Sequence, residues 1–157
     1  MKFIVVDHDR EIAAFMCERM GIQNAFQSGR GVGMLNAPLG DTPRLVAGIW
    51  FEQFNGANMM MHVAADPDFR ARWMTRELLW YTFHYPFIEC GCRRVTGVIS
   101  ASNKEAIEFD ERIGFRYEAT LKDAAPDGDM LVYVMFREDC RWLKLRDRIP
   151  HLRRQVN

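Results

Sequence analysis

Short apolar segments separated by turn-forming residues constrain the fold of this chain more than any other feature of its sequence. Residues 27–43 alone hold four glycines and two prolines. Neither residue type is favoured inside a helix, and proline is also disfavoured inside a sheet. The 157 residues are therefore expected to form several short strands and helices, with turns in the glycine-rich segment. This length fits one domain of about 150 residues.

The spacing of apolar residues predicts the order of these elements. Runs rich in apolar and β-branched residues predict strands at 2–6, 32–35, 45–54, 58–65, 93–100, 117–121 and 130–137. Apolar residues three and four apart predict helices around 12–20, over 70–85 and up to residue 113. We expect caps and stops at residues that favour helix ends, namely Asp7 or Asp9, Gly21, Ser102 or Asn103, and Gly114.

Three further segments predict turns. Asn55-Gly56 is typical of a two-residue hairpin, Asp66-Pro67-Asp68 is typical of a turn, and the polar segment around Pro126 predicts a loop. We also expect the second helix to end before Pro86. The resulting order is strand, helix, strands, helix, strand, helix and two strands. It predicts an α+β or mixed α/β domain with one central sheet.

Composition and charge exclude several classes of protein. A hydrophobic fraction of 48% excludes a disordered chain. Lys+Arg and Asp+Glu both number 21, which argues against a nucleic-acid binder. No apolar run reaches the roughly 20 residues of a membrane helix, and no secretory signal is present, so we expect a cytoplasmic protein. The four cysteines lack C-x-x-C spacing and the four histidines are scattered. We therefore expect reduced thiols and no metal site.

Two segments together resemble one known family. Residues 63–79 read Val-Ala-Ala-Asp-Pro-Asp-Phe-Arg-Ala-Arg-Trp-Met-Thr-Arg-Glu-Leu-Leu, and residues 103–115 read Asn-Lys-Glu-Ala-Ile-Glu-Phe-Asp-Glu-Arg-Ile-Gly-Phe. Both are similar to the GCN5-related N-acetyltransferase (GNAT) family, whose pattern combines a D-P-x-(Y/F) turn, a Q/R-x-x-G-x-G/A loop and a later N-x-x-A-x-x-(L/F)-Y-x-x-x-G-F helix. The resemblance implies a mostly antiparallel sheet flanked by helices over residues 1–137. Residues 138–157 then form a basic helical tail.

The resemblance implies acetyl-CoA as cosubstrate. In the family, backbone groups of the strand before the loop contact the pantetheine arm, the loop opening the helix binds the diphosphate, and the later Asn contacts the arm. The matching residues here are Val63, Ala64, Ala65, Arg70, Ala71, Arg72, Trp73, Met74, Thr75, Arg76 and Asn103. Trp73 and Thr75 replace small residues of the family's loop. The alternatives are an ordinary buried strand, a core position for Trp73 and Met74, solvated arginines, and a purely structural cap at Asn103.

The family's usual catalytic groups are replaced in this sequence. Asp110 stands where the family often has a Tyr acid, and an ordinary Asp is ionised at neutral pH and would repel a thiolate. Val98 stands where some members have a Glu base. The remaining candidates for a base are His62, because imidazole titrates near neutrality, and Glu52 on the opposite hairpin strand. The alternatives are a solvated helix carboxylate at Asp110, a structural histidine and an exposed strand carboxylate.

Two functions stay open at this point. The first is acetyl transfer from acetyl-CoA to a primary amine on a small molecule, a protein N-terminus or a lysine. The second is a GNAT-like domain that has lost catalysis and acts as a binding or assembly protein. Residues 137–157 hold seven basic and three acidic groups, so an acidic partner is one option for the tail and a solvated extension is the other. The segments Tyr85–Phe87 and Arg141–Leu143 are similar to short GNAT-like proteins encoded by bacteriophages.

Overall fold

A computed structural model describes residues 1–69 and 72–148, with the backbone alone for residues 146–148. The strands are β1 Lys2–Val5, β2 Arg30–Asn36, β3 Arg44–Glu52, β4 Asn58–Ala65, β5 Arg94–Ser100, β6 Arg116–Ala125 and β7 Gly128–Phe136. The helices are α1 Asp9–Met20, α2 Arg76–His84 and α3 Lys104–Ile113. A π-helical turn follows α2 at Tyr85–Glu89, and 3₁₀ segments lie at Pro67–Phe69, Arg137–Asp139 and Arg141–Arg148.

The seven strands form one sheet in the order β1-β2-β3-β4-β5-β7-β6. Every neighbouring pair is antiparallel except β4 and β5, which are parallel and are connected through α2. A parallel pair needs such a crossover, because a short turn cannot return the chain to the same end of the sheet. The predicted α+β class and the mostly antiparallel central sheet flanked by helices are confirmed.

The helices cover both faces of the sheet. Ile12 and Met16 of α1 pack on one face with Trp50 of β3, whereas α2 and α3 contribute to the larger core on the other face. Glycines in β2 and β3 make the α1 contact close: a Cβ atom at Gly48 would lie 2.9 Å from Met16 Cγ. Gly31 and Gly33 likewise lie inside β2. Gly33 falls within the short strand predicted at 32–35, whereas the prediction of Gly31 as a turn residue was wrong. Glycine here serves the close packing of helix on sheet.

Several predicted boundaries were also wrong. His8, not Asp7 or Asp9, precedes the first turn of α1; the Asp9 carboxylate instead accepts a hydrogen bond from the Gly31 N–H at 2.7 Å. The second helix begins at residue 76 rather than 70, and its π-helical turn continues past Pro86. The predicted polar loop around Pro126 is shorter than expected, because β6 extends to Ala125 and β7 begins at Gly128, which leaves Pro126 and Asp127 as the turn. By contrast, Gly21 and Gly114 end their helices in the left-handed conformation, as predicted.

The Asn55-Gly56 segment does form the turn of the β3–β4 hairpin, but the connection is longer than two residues. It spans residues 53–57, and the Asn55 side chain accepts hydrogen bonds from the N–H groups of Ala57 and Asn58 at 3.0 and 2.9 Å. In the register of this hairpin, Trp50 stands opposite His62, and Glu52 stands opposite Met60.

The described residues after β7 pack on the domain. Cys140 and Leu145 are buried in the larger core. The Trp142 indole N–H donates to the Ile113 carbonyl at 2.7 Å, and Arg141 donates to the Arg112 carbonyl at 2.7 Å. These two bonds attach the segment to the C-terminal end of α3, where helix carbonyls otherwise lack partners.

Candidate functional site

A gap opens in the middle of the sheet, between β4 and β5. Within the part of the chain that the structure describes, the two strands pair only from Asn58 with Arg94 to Met60 with Thr96. Beyond that point β4 continues to pair with β3 through Ala65, and β5 continues to pair with β7 through Ser100. The inner edges of β4 and β5 beyond Met60 therefore face each other across the gap rather than forming a ladder. Unpaired edges offer backbone donors and acceptors to an extended ligand.

Asp110 of α3 lies at the apex of this gap. Gly97 on β5 has no side chain to fill this space. A Cβ atom at this position would lie 3.4 Å from Asp110 Oδ2 and 3.9 Å from the Met61 carbonyl oxygen. Asp110 is only 9% exposed. Burial raises its pKa from 3.8 to about 7, because removal from water disfavours the charged form. The prediction that Asp110 is a solvated helix carboxylate is therefore wrong.

His62 and Glu52 meet on the opposite face of the sheet. His62 Nε2 lies 3.0 Å from Glu52 Oε1, and each side chain is 19% exposed. The ring of Phe26 packs edge-on against the imidazole, with centroids 5.2 Å apart. His62 alternates with Met61 along β4, so it points to the α1 face while Asp110 packs on the α3 face. The prediction that Glu52 is an exposed strand carboxylate is wrong, since Glu52 is largely covered and hydrogen-bonded to His62.

The loop between β4 and α2 ends in a capped helix. Thr75 is the N-cap of α2, and its hydroxyl accepts a hydrogen bond from the Leu78 N–H at 3.1 Å. The residues just before it form turns, in which the Arg72 N–H donates to the Phe69 carbonyl at 2.9 Å. The Arg72 guanidinium donates to the Asp68 carbonyl and lies 5.5 Å from the Phe69 ring centre. Arg70 and Ala71 lie outside the described residues, and Arg76 is the first residue of α2.

Trp73 is buried in the core beside the gap. It is 6% exposed, and its indole stacks on Phe109 of α3 with ring centroids 5.7 Å apart. Only a cavity of about 10 Å³ remains among Trp73, Met61 and Val63, which is enough for one water molecule at most. Met74 packs partly buried against the same core. Trp73 and Met74 are thus core residues, although they precede the helix rather than lie in it.

Of the other predicted cofactor residues, the three on β4 border the gap and Asn103 lies at the start of α3. Val63, Ala64 and Ala65 are the last residues of β4, and all three pair with β3 on their other side. Asn103 caps α3, with its side chain accepting a hydrogen bond from the Ala106 N–H at 3.1 Å. This confirms the predicted cap. The structure thus brings the strand, the loop and the second motif helix to one place.

Sequence reasoning missed two residues at this site. Gly97 makes the space that admits the Asp110 carboxyl, and its signal was a glycine inside a strand pattern, which often marks a close approach. Asp66, predicted only as a turn residue, is 3% exposed and bonded to Arg44 at 3.2 Å. Its signal was a carboxylate directly after an apolar strand. Neither role follows without knowing which distant residues pack there.

Neither a metal centre nor a membrane helix is found in the described parts of the chain. Across residues 1–69 and 72–148, no three His, Cys, Asp or Glu side chains come close enough to hold a metal ion. No helix in these two ranges is long and apolar enough to span a bilayer. All four cysteines are free thiols.

Several solved structures with this architecture are acetyltransferases. A mutant form of spermidine N-acetyltransferase from Vibrio cholerae matches with a TM-score of 0.70 and 12% identity, over 89% of this chain and 96% of that one. An IAA acetyltransferase from Bacillus cereus matches with a TM-score of 0.71 and 11% identity, over 87% and 99%. A GNAT-family acetyltransferase from Bacillus anthracis matches with a TM-score of 0.58 and 19% identity, over 80% and 72%. No protein-family model and no curated protein sequence matches the chain. The chain has the fold of GNAT acetyltransferases.

Proposed function

We propose that this protein transfers an acetyl group from acetyl-CoA to a primary amine of a small molecule or peptide. The observation that supports this most is the gap between β4 and β5 with the buried Asp110 carboxyl at its apex. A ligand arm in this gap would run along the free edge of Val63, Ala64 and Ala65, with Asn103 at the facing helix. The proposal also includes a cytoplasmic location and the similarity to phage-encoded GNAT-like proteins.

Asp110 is suited to act as the acid for the departing thiolate. A carboxylic acid whose pKa lies near 7 is partly protonated at neutral pH and can give its proton to a leaving group. This removes the objection that an ordinary ionised Asp would repel the thiolate. Asp110 thereby takes the part that the family often gives to Tyr at this position.

His62 and Glu52 are suited to receive the proton of the amine. Glu52, when ionised, holds the imidazole through Nε2 and would stabilise the imidazolium that forms once His62 has taken a proton through its other ring nitrogen. Because His62 and Asp110 lie on opposite faces of the sheet, the amine would approach from the α1 face and the coenzyme from the α2–α3 face. Acetyl-CoA supplies an activated thioester, and the chain supplies positioning and the two proton transfers.

The diphosphate of the coenzyme would be held where the loop meets α2. The first turn of a helix presents free N–H groups and the positive end of the helix dipole. Trp73 would contribute only its backbone, since its indole is packed against Phe109. The arginines at positions 70, 72 and 76 would add positive charge around this turn.

The direct test combines binding and turnover. Isothermal titration with acetyl-CoA should show affinity in the micromolar range. Incubation with a panel of primary amines should release the CoA thiol and yield an acetylated amine by mass spectrometry. Asp110→Asn should bind acetyl-CoA as the wild type does, yet turn over about 100-fold more slowly, because the amide cannot protonate the thiolate. Thiol release by Asp110→Asn at the wild-type rate would show that Asp110 is not the acid.

A second candidate function is favoured by the Trp73–Phe109 stack. The indole lies beside the gap and leaves almost no free volume there, which fits a GNAT-like domain that binds an acidic partner through residues 137–157 instead of the coenzyme. Trp73→Leu distinguishes the two, because leucine keeps an apolar side chain but frees space beside Phe109. If the wild type shows no heat with millimolar acetyl-CoA and Trp73→Leu binds it, the indole blocks the site and the second function is supported. If the wild type itself binds, the first is supported.

A further inference from the structure

We infer that Asp66 is a positioning residue for the coenzyme: its buried carboxylate holds the described residues between β4 and α2, 66–69 and 72–75, in the conformation that binds the diphosphate. The inference rests on the proposed function, because it assigns a role within that same site. Asp66 directly follows β4 and is 3% exposed. A carboxylate removed from water to this extent requires partners, since an unpaired one would lose its hydration without compensation.

The carboxylate joins three separate parts of the fold. Its Oδ2 atom accepts a hydrogen bond from Arg44 Nη1 at 3.2 Å, at the start of β3, and lies 3.8 Å from Arg19 Nη2 of α1. Its Oδ1 atom accepts a hydrogen bond from the Asp68 N–H at 3.0 Å, in the turn after β4. The side chain therefore fixes the first turn of the loop against both the sheet and α1.

The backbone of Asp66 extends this attachment toward α2. Its N–H donates to the Val46 carbonyl at 2.8 Å, and its carbonyl accepts from the Phe69 N–H at 2.9 Å. The Phe69 carbonyl in turn accepts from the Arg72 N–H at 2.9 Å. The Arg44 guanidinium that pairs with Asp66 also lies 5.2 Å from the Phe69 ring centre. A chain of contacts thus leads from the buried carboxylate to residue 72, close to the Thr75 cap.

This arrangement makes two physical effects of Asp66 oppose each other. As a negative charge it repels a diphosphate, so neutralising it should strengthen coenzyme binding on electrostatic grounds alone. As the anchor of the loop it orients the amides near Thr75, so neutralising it should weaken binding. The sign of the change in affinity therefore separates a positioning role from a mere charge.

Asp66→Asn is the decisive variant, and Asp9→Asn is its matched control. The Asp9 carboxylate also accepts from a backbone N–H, that of Gly31 at 2.7 Å, and pairs with an arginine, Arg30 at 3.3 Å. We expect Asp66→Asn to raise the Kd and the KM for acetyl-CoA about tenfold with kcat changed less than about twofold, because the loop contacts the diphosphate and not the reacting atoms. Asp9→Asn should lower the melting temperature less, because the Asp9 side chain is 32% exposed, and it should leave the Kd and KM unchanged.

The other possible binding results separate failure of the inference from failure of the proposed function. If the wild type binds acetyl-CoA and Asp66→Asn binds it equally well or more tightly, the inference is overturned while the proposed function stands. If Asp66→Asn does not melt cooperatively, Arg44→Gln decides, because that guanidinium is half-exposed and its loss should leave the fold intact. Arg44→Gln should then raise the KM for acetyl-CoA even at high ionic strength, where the direct attraction between Arg44 and the diphosphate is screened, and an unchanged KM under those conditions overturns the inference. Absence of binding by the wild type would overturn the proposed function, and the inference with it.

Discussion

The Asp110 side chain is polar and yet faces the protein interior from an amphipathic helix. Its neighbours at the gap include the Gly97 backbone, and burial raises the pKa of the carboxyl to about 7, so that it is partly protonated near pH 7. A group whose pKa is raised on folding binds its proton more tightly in the folded than in the unfolded state. Stability from this residue is therefore fully present below pH 3.8 and is lost as the pH rises to about 7.

This gives a prediction for the free energy of unfolding. Between pH 4 and pH 8, loss of the Asp110 proton should lower the free energy of unfolding of the wild type by up to about 4 kcal/mol, which is the upper bound given by the shift in pKa. Asp110→Asn has no proton to lose, so the difference in unfolding free energy between variant and wild type should grow in favour of the variant as the pH rises. Urea unfolding at several pH values measures this difference. A difference that stays constant across this range would mean that the carboxyl is solvated in the folded protein.

Trp73 and the His62–Glu52 pair illustrate how much a residue type reveals by itself. Glu52 could be placed on the strand opposite His62 from the hairpin pattern, and the two do meet. Trp73 was predicted to lie within the helix over 70–85, at a position that matches the family's diphosphate loop, and two environments were open to its side chain. Its stack on Phe109 depends on how the segment before α2 packs against α3, which no local pattern encodes.

At the scale of elements, the candidate site is formed by the separation of β4 and β5. They are the one parallel pair of the sheet among the described strands, and they separate after Met60 and Thr96. Each strand keeps a ladder on its outer side, so separation costs few hydrogen bonds. Gly97 stands on β5 just beyond the last pair, where a larger residue would reach the Asp110 carboxyl.

Gly97→Ala tests the apex of the gap. The new methyl group would lie 3.4 Å from Asp110 Oδ2 and 3.9 Å from the Met61 carbonyl oxygen, which are ordinary contact distances, so the fold should be retained. The methyl group would narrow the apex next to the acid. We expect the melting temperature to change by a few degrees at most and kcat for acetyl transfer to fall about tenfold or more, because a displacement of reacting groups by about 1 Å is costly. Unchanged kcat would show that the reacting atoms lie elsewhere.

At the scale of the whole molecule, some of the described residues after β7 contribute to the packed core. Cys140 and Leu145 are buried there, and Trp142 is hydrogen-bonded to the end of α3. Burial raises the pKa of the Cys140 thiol to about 11, so this thiol stays protonated at neutral pH. The thiolate is the reactive form of cysteine, and docking of the segment should therefore protect Cys140 from alkylation.

Alkylation of the native protein with iodoacetamide measures this docking. Cys17, which is only half-buried, should be modified readily, whereas Cys140 should react only after unfolding. Trp142→Ala removes the hydrogen bond to Ile113 and part of the packing, so Cys140 should become reactive in that variant while Cys17 keeps its rate. Peptide mass spectrometry identifies the modified residues. Equal rates for both thiols in the wild type would contradict the packed arrangement.

The sequence by itself determined the order of the elements, the α+β class, the Asn103 cap and the glycine stops of α1 and α3. These features depend on contacts between residues only a few positions apart, which the pattern of residue types encodes directly. The start of α2 and the extent of β6 and β7 could not be obtained in this way, because tertiary packing overrides local preference. Only the tertiary structure decided that Asp110 is buried beside Gly97, that Asp66 anchors the loop and that Trp73 lies on Phe109. Each of these is a contact between residues far apart in the chain. Burial, which raises the pKa of a carboxyl group, exists only once the chain is folded.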